Sequence, residues 1–327
     1  MNRKISLTVG VLLLASVVCS AADPPKPSGQ KLQLRRLYAP GDYVLTQQVD
    51  ADQVIGIEGM MQKQQTSQTV VMGLSVEKPD QAGDRKMTIT YRRFKMRMAM
   101  AGQVMSYDSD QPDAAQSSPL GMIWGPMLKV KIVALVGADA QIKKVTGLDE
   151  MWGEIAKNSP AAAAMLGPMK EQFGDAMLKD LLTKSYELLP KDAVGVGESW
   201  PFSVKLKAPF VGAMKIDGKC KVKSIEKTAA GRIASIDITG VVRSEEPTAS
   251  TMGPVTIKIN KMRFDQEGNM RYNADTGVPV NQTMRQRGSL AISMTGPDGE
   301  EKAMSLQQDM KLLTTVASET KKPGSAP

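Results

Sequence analysis

The sequence predicts an α+β fold, mainly antiparallel β, with one or two curved sheets and a central helical segment packed on them. Three observations carry this expectation. Most of the chain beyond residue 31 alternates apolar and polar residues with a period of two, broken by short turns of Gly, Pro, Asp and Ser. One stretch, residues 148–190, has helical spacing instead. The chain has 327 residues, 42% of them hydrophobic, which is ample material for a core.

The chain opens with Asn2-Arg3-Lys4, an apolar run over 5–18 and then small residues, the pattern of a secretory signal peptide. The run is too short for a comfortable membrane span. Ser20 and Ala22 suit cleavage after Ala22; Cys19 also admits lipid anchoring, but bulky Val18 precedes it. The protein is therefore expected to be exported, periplasmic or extracellular, with no transmembrane span after cleavage. Residues 23–30 are a proline-rich leader with nothing to bury, expected to be disordered, as is the tail 318–327.

The first β-rich half spans 31–147. A turn at Ala39-Pro40-Gly41-Asp42 leads into a strand over 43–49, and a Gln-, Thr- and Val-rich strand follows over 61–77. The strand over 85–101 places Phe94, Met96, Met98 and Met100 on one side, Lys95 and Arg97 on the other. Gly102-Gln103 turns the chain into a return strand over 104–107. Strands over 127–136 and 140–145 close the half.

In the helical segment 148–190, Leu148, Trp152 and Ile155 make a short stripe, with Asp149 and Glu150 where the helix dipole favours acids. Ser159-Pro160 restarts a helix and Gly167-Pro168 interrupts it. Phe173, Met177, Leu178, Leu181, Leu182 and Leu189 then recur at three- and four-residue spacing. Two or three short helices follow from this, their apolar side laid on a sheet.

The second β-rich half, 191–317, predicts strands over 202–207, 212–227 and 232–242, a pair over 255–264 and 269–272 about Gln266-Glu267-Gly268, and a long hairpin over 282–295 and 302–316. Gly41-Asp42-Tyr43 and Gly197-Glu198-Ser199-Trp200 echo one another. A diverged duplication and repetitive hairpin chemistry both account for the echo.

Composition narrows function. The chain has no histidine, which excludes histidine triads and the usual zinc, non-haem iron and blue-copper ligand sets. Its charge of +8 becomes +6 once Arg3 and Lys4 are removed, and no basic block is interleaved with aromatics, so no nucleic-acid partner is expected. Signal cleavage leaves Cys220 without a disulfide partner, as a small buried hydrophobe. Met96, Met98, Met100 and Met105 have the softness Cu(I) prefers, but alternating Met beside Phe94 is also what an inward strand face looks like, and neither metal nor cofactor is expected. Asp108, Asp110 and Glu198 are the acids a carboxylate-pair hydrolase would need; their other reading is turn chemistry.

The pieces Tyr38-Ala39-Pro40-Gly41-Asp42-Tyr43, the 88–100 strand, Tyr107-Asp108-Ser109 and Gly195-Val196-Gly197-Glu198-Ser199-Trp200 resemble a family of exported bacterial proteins, planctomycete-like, that carries a domain of unknown function. The resemblance implies an extracytoplasmic β-rich domain and transfers no functional residue. The organisation is also similar to half-barrel lipid carriers of the envelope. The expected function is that of a non-enzymatic envelope protein holding an apolar or lipid-like ligand between sheet and helices. The candidate pocket residues are Phe94, Met96, Met98, Met100, Trp152, Phe173, Met177 and Leu181. The rival expectation is an envelope scaffold or protein-interaction module with a filled core, and a hydrolase is the third.

Overall fold

The computed structural model describes residues 31–34, 38–111, 121, 124–158, 174–208, 212–245, 248–252, 255–296 and 298–319. The signal peptide, the leader, Ser159-Pro160, Gly167-Pro168 and Phe173 lie outside these. The first half contributes β1 (Gly41–Ile57), β2 (Met60–Val76), β3 (Arg85–Met100), β4 (Gln103–Asp108), β5 (Lys131–Val136) and β6 (Ile142–Thr146), with a 3-10 turn at Pro126–Lys129. Two helices follow, α1 (Leu148–Asn158) and α2 (Asp175–Glu187). The second half contributes β7 (Ser199–Ala208), β8 (Gly212–Thr228), β9 (Gly231–Ser244), β10 (Thr248–Met252), β11 (Val255–Asn273), β12 (Val278–Thr295) and β13 (Glu301–Ser318).

All thirteen strands join one sheet, in the order β6-β5-β3-β2-β1-β13-β12-β11-β9-β8-β7, with β4 on β3 and β10 on β11. The described structure is therefore mostly antiparallel β, and the α part of the expected α+β class is reduced to two short helices. The two halves are each a meander, and they zip together where β1 pairs with β13 from Tyr43↔Ser318 to Ile57↔Met304. Tight turns with positive φ at both central residues make two of the first-half hairpins, Glu58-Gly59 (φ 49° and 84°) and Ala101-Gly102 (φ 50° and 78°).

Every step along this eleven-strand path is antiparallel, so its two outer strands, β6 and β7, run in the same direction. A parallel pair cannot be joined by a hairpin and needs a long crossover. The helical segment occupies that connection, and α2 packs on both β6 and β7. Leu148 N–H donates to Asp175 Oδ1 (2.9 Å), tying the starts of the two helices together. Lys179 Nζ donates to the Lys143 carbonyl on β6 (3.2 Å), and Trp200 Nε1 on β7 donates to the Leu188 carbonyl just past α2 (2.9 Å). A bridge between Leu32 and Val194 pins the start of the described chain to the same region.

Three expectations are corrected. The Gln266-Glu267-Gly268 turn is the middle of β11, paired on one side with β9 and on the other with β12. Ladder bonds on both flanks override the local turn propensity of these residues. The strand expected from residue 127 begins at Lys131, because Pro126–Lys129 forms the 3-10 turn. Ser318, expected in the tail, is the last residue of β13: it pairs with Tyr43, and Glu319 N–H donates to the Asp42 carbonyl (2.8 Å).

Candidate functional site

The period-two alternation decides which residues face inward. On β1 these are Tyr43, Leu45, Gln47, Val49, Ala51, Gln53, Ile55 and Ile57. Following the registers across the sheet gives the evens of β13 from Met304 to Val316, and the evens of β12 from Gln282 to Met294. The same operation gives Ile257, Ile259, Met262, Phe264, Gln266, Gly268, Met270 and Tyr272 of β11, shifted once by the bulge after Ile259. None of these positions carries a charge. The charges stand outside, where Arg285 and Arg287 both hold Asp309, and Arg243 holds Asp217.

The inner face is not dry throughout. Val222, Ile236 and Cys220 are at most 1% exposed, under a cover that includes Leu32, Leu34 and Val194. Burial pushes the Cys220 thiol up to about 12, so the group is an inert hydrophobe. Leu45, Ile55, Met72, Ile89, Met294, Met304 and Val316 also point inward, and all remain part-exposed. Phe202 on β7 lies over Gly218, where a Cβ would collide with its ring.

The expected pocket residues divide among separate places. Phe94, Met96 and Met98 are buried together with Val70 and Tyr107, and Trp124 stacks on Phe94 with ring centroids 4.1 Å apart. Met100, next on the same face of β3, is part-exposed. Trp152 belongs to a different group, with Ile132, Val136, Ile142, Leu148 and Met151. Leu181 packs with the second-half cluster about Leu206, Ile259 and Phe264, while Leu178 and Leu182 of the same helix pack with the first half. Met177 is part-buried on α2. The seven described candidates thus fall into separate packing groups, and Phe173 lies outside the described residues. Helix α2 instead serves both halves.

The sequence reading passed over the inward glutamines. Gln282, Gln286 and Gln308 are 8%, 7% and 5% exposed, and Gln53 and Gln266 beside them are part-buried. Gln53 Nε2 donates to Gln308 Oε1 (2.9 Å) and Gln266 Nε2 to Gln286 Oε1 (2.9 Å). The available signal was parity: Gln53 falls in the same register as Val49, Ala51 and Ile55.

The acids singled out in the sequence are engaged in ion pairs. Asp108 accepts from Arg93 (2.9 Å) and caps the Asp110 N–H (3.2 Å), and the Arg93 hydrogen bond holds its carboxyl below the usual range. Glu198 pairs with Lys31 (2.7 Å), which lowers its pKa, and accepts from Gly195 N–H (3.0 Å). General-acid work at neutral pH needs the opposite shift. Among the described residues no group of three or more His, Cys, Asp or Glu could hold a metal ion, and no helix is long and apolar enough to cross a membrane. A groove of about 320 Å³ beside the β11 bulge is lined by Arg243, Glu245, Asn260, Lys261 and Arg263 among others, a charged surface unlike the inner face.

The class that these features define is an up-and-down antiparallel sheet, bridged at its outer strands by helices and uncharged within. A family model matches residues 82–279, and the chain belongs to that family, described as a family of unknown function (DUF6263). No curated protein matches the chain in sequence. Among solved structures it is similar to lipovitellin, in a structure of its lipid–protein interactions, at 10% identity and TM-score 0.43 over 89% of this chain and 27% of that one. The chain thus spans about a quarter of lipovitellin's length. It is also similar to a putative exported protein with a YmcC-like fold from Bacteroides fragilis, at 9% identity and TM-score 0.19 over 83% of this chain and 96% of that one. OccK5 from Pseudomonas aeruginosa aligns at 5% identity and TM-score 0.22 over 86% of this chain and 99% of that one.

Proposed function

We propose that this protein is a non-enzymatic, exported envelope protein that carries an apolar or lipid-like ligand between the inner face of its sheet and the helical segment. The observation that carries this reading is the uncharged inner face of an eleven-strand path, on which inward apolar side chains stay part-exposed. About eight strands enclose an interior that side chains just fill, and wider sheets leave room for something else. The two helices among the described residues, of 11 and 13 residues, are short beside strands of up to 19 residues. An uncharged lining also suits apolar cargo, because it leaves no buried charge in need of a partner.

The test is recovery of the full chain, expressed with its own leader and purified from a bacterial envelope without detergent, followed by native mass spectrometry. The expected spectrum contains a protein species carrying a lipid-sized adduct that organic extraction removes. The extracted protein should take up the apolar dye N-phenyl-1-naphthylamine with a blue-shifted emission. Bare protein in repeated preparations, together with no dye uptake, overturns the carrier in favour of a filled scaffold.

A further inference from the structure

The inward glutamines form a continuous strip. Gln64 of β2 lies opposite Gln53 of β1, which lies opposite Gln308 of β13. One step along the same face, Gln286 of β12 lies opposite Gln266 of β11, and its other neighbour is Met310, the next inward residue after Gln308. Above and below Gln308 and Gln286 the face is apolar, with Leu306 and Leu290 on one side and Leu312 and Met284 on the other, while beside Gln64 it carries Gln62 and Thr66. Five amides across five adjacent strands of a greasy wall are a costly arrangement, since buried polar groups need hydrogen-bond partners and an apolar residue would pack there without that requirement.

The partners within the strip do not satisfy it. Gln308 is 5% exposed and its Oε1 accepts from Gln53 Nε2, yet its own Nε2 is buried and has no hydrogen-bond partner among the described residues. The unmet group is a donor, so the atom that complements it is an acceptor. The inward ladder positions of β1, β11, β12 and β13 carry no cation, so that acceptor is uncharged.

Resting on the carrier reading above, we propose that the strip recognises the carbonyl of a neutral acyl ester, with the ligand's hydrocarbon lying along the apolar wall on either side. The ester oxygen accepts from Gln308 Nε2. A fatty-acid anion would place a carboxylate in the same space without a counter-charge. A plain hydrocarbon would leave the Gln308 donor unmet. Of the three, only the neutral ester brings an uncharged acceptor together with a hydrocarbon chain.

The experiment uses the full mature chain after lipid extraction, loaded with N-phenyl-1-naphthylamine and titrated with methyl oleate, sodium oleate at pH 9 and 1-octadecene. Methyl oleate is expected to displace the dye at concentrations at least about tenfold below the other two, equivalent to about 1.4 kcal/mol of discrimination. Gln308→Leu should bring methyl oleate to within about twofold of 1-octadecene while octadecene binding holds or tightens. This substitution deletes an unmet buried donor, so the variant should melt no lower than the parent. Gln53→Leu, the part-buried neighbour of Gln308 in the strip, supplies a second variant with the same expected direction. Equal displacement by all three compounds, or full ester preference retained in both variants, overturns the ester site and leaves the carrier standing. Dye uptake absent from every form overturns the carrier, and the ester site with it.

Discussion

The two halves of this chain meet twice, and the two junctions are built by different physics. At the first, β1 and β13 pair over fifteen consecutive positions, with Val49 facing Leu312 and Ala51 facing Met310 on the buried side. At the second, no strand pairing links β6 to β7 among the described residues, and α2 spans the gap with side-chain packing and a few hydrogen bonds. Strand direction fixes the kind of connection at each. Antiparallel neighbours can be joined by hairpins, whereas two outer strands running the same way need a crossover, which the helical segment supplies. The ladder junction should be the rigid one, and the helical junction the one that opens.

The largest expected effect is on the ladder. Leu312→Ala removes a side chain that is 3% exposed and should cost about 2–5 kcal/mol in urea denaturation. Leu182→Ala, part-buried on α2, should cost about 0.5–2 kcal/mol; a loss as large as that of Leu312→Ala would break the contrast. Native-state hydrogen exchange reads the same difference without mutation. Amides of β1 over 47–55 should exchange only near global unfolding, and those of α2 well before it. A smaller effect, about 1 kcal/mol, is expected from Trp200→Phe, which keeps the ring packing and deletes the bond to the Leu188 carbonyl. That variant should accelerate exchange in α2 and leave β1 unchanged.

The smallest effect lies on the outer side, next to the ladder. Asp309 accepts from Arg285 and Arg287, and its pKa is lowered to about 2, first by the Arg285 hydrogen bond. A depressed carboxylate stabilises the fold above its unfolded pKa of about 3.9 and loses that contribution as the pH falls towards about 2. The group is more than a third exposed, so solvent screening keeps the gain small. Stability measured from pH 5 to pH 2 should fall slightly less steeply for Asp309→Asn than for the parent.

Much of this plan was legible before any coordinates. Alternation of period two located most strands, because one face meets the core and the other meets water, and the same parity buried Phe94, Met96 and Met98 together. The helical stretch announced itself through Leu178, Leu181 and Leu182. What did not show was which surface each of those leucines meets, since a stripe on a helix gives no sign that one side chain will serve each half. Gln266-Glu267-Gly268 misled for a related reason. Turn propensity is local, whereas β11 is held extended by neighbours on both sides that are distant in sequence. The glutamine strip was hidden because Gln is common on wet strand faces, and only register reveals that Gln64, Gln53, Gln308, Gln286 and Gln266 run across one inner wall.

The pairing of β1 with β13 also sets an order of events for the growing chain. Tyr43 waits for Ser318, 275 positions later (318 − 43), before that side of its strand is satisfied. Until the last strand emerges, a long β edge stands open to any passing chain, the circumstance in which sheet proteins aggregate. Such a polypeptide gains from being kept unfolded until its final residues are made, and a holding factor that recognises the nascent first strand would serve it better than one that acts on the finished fold.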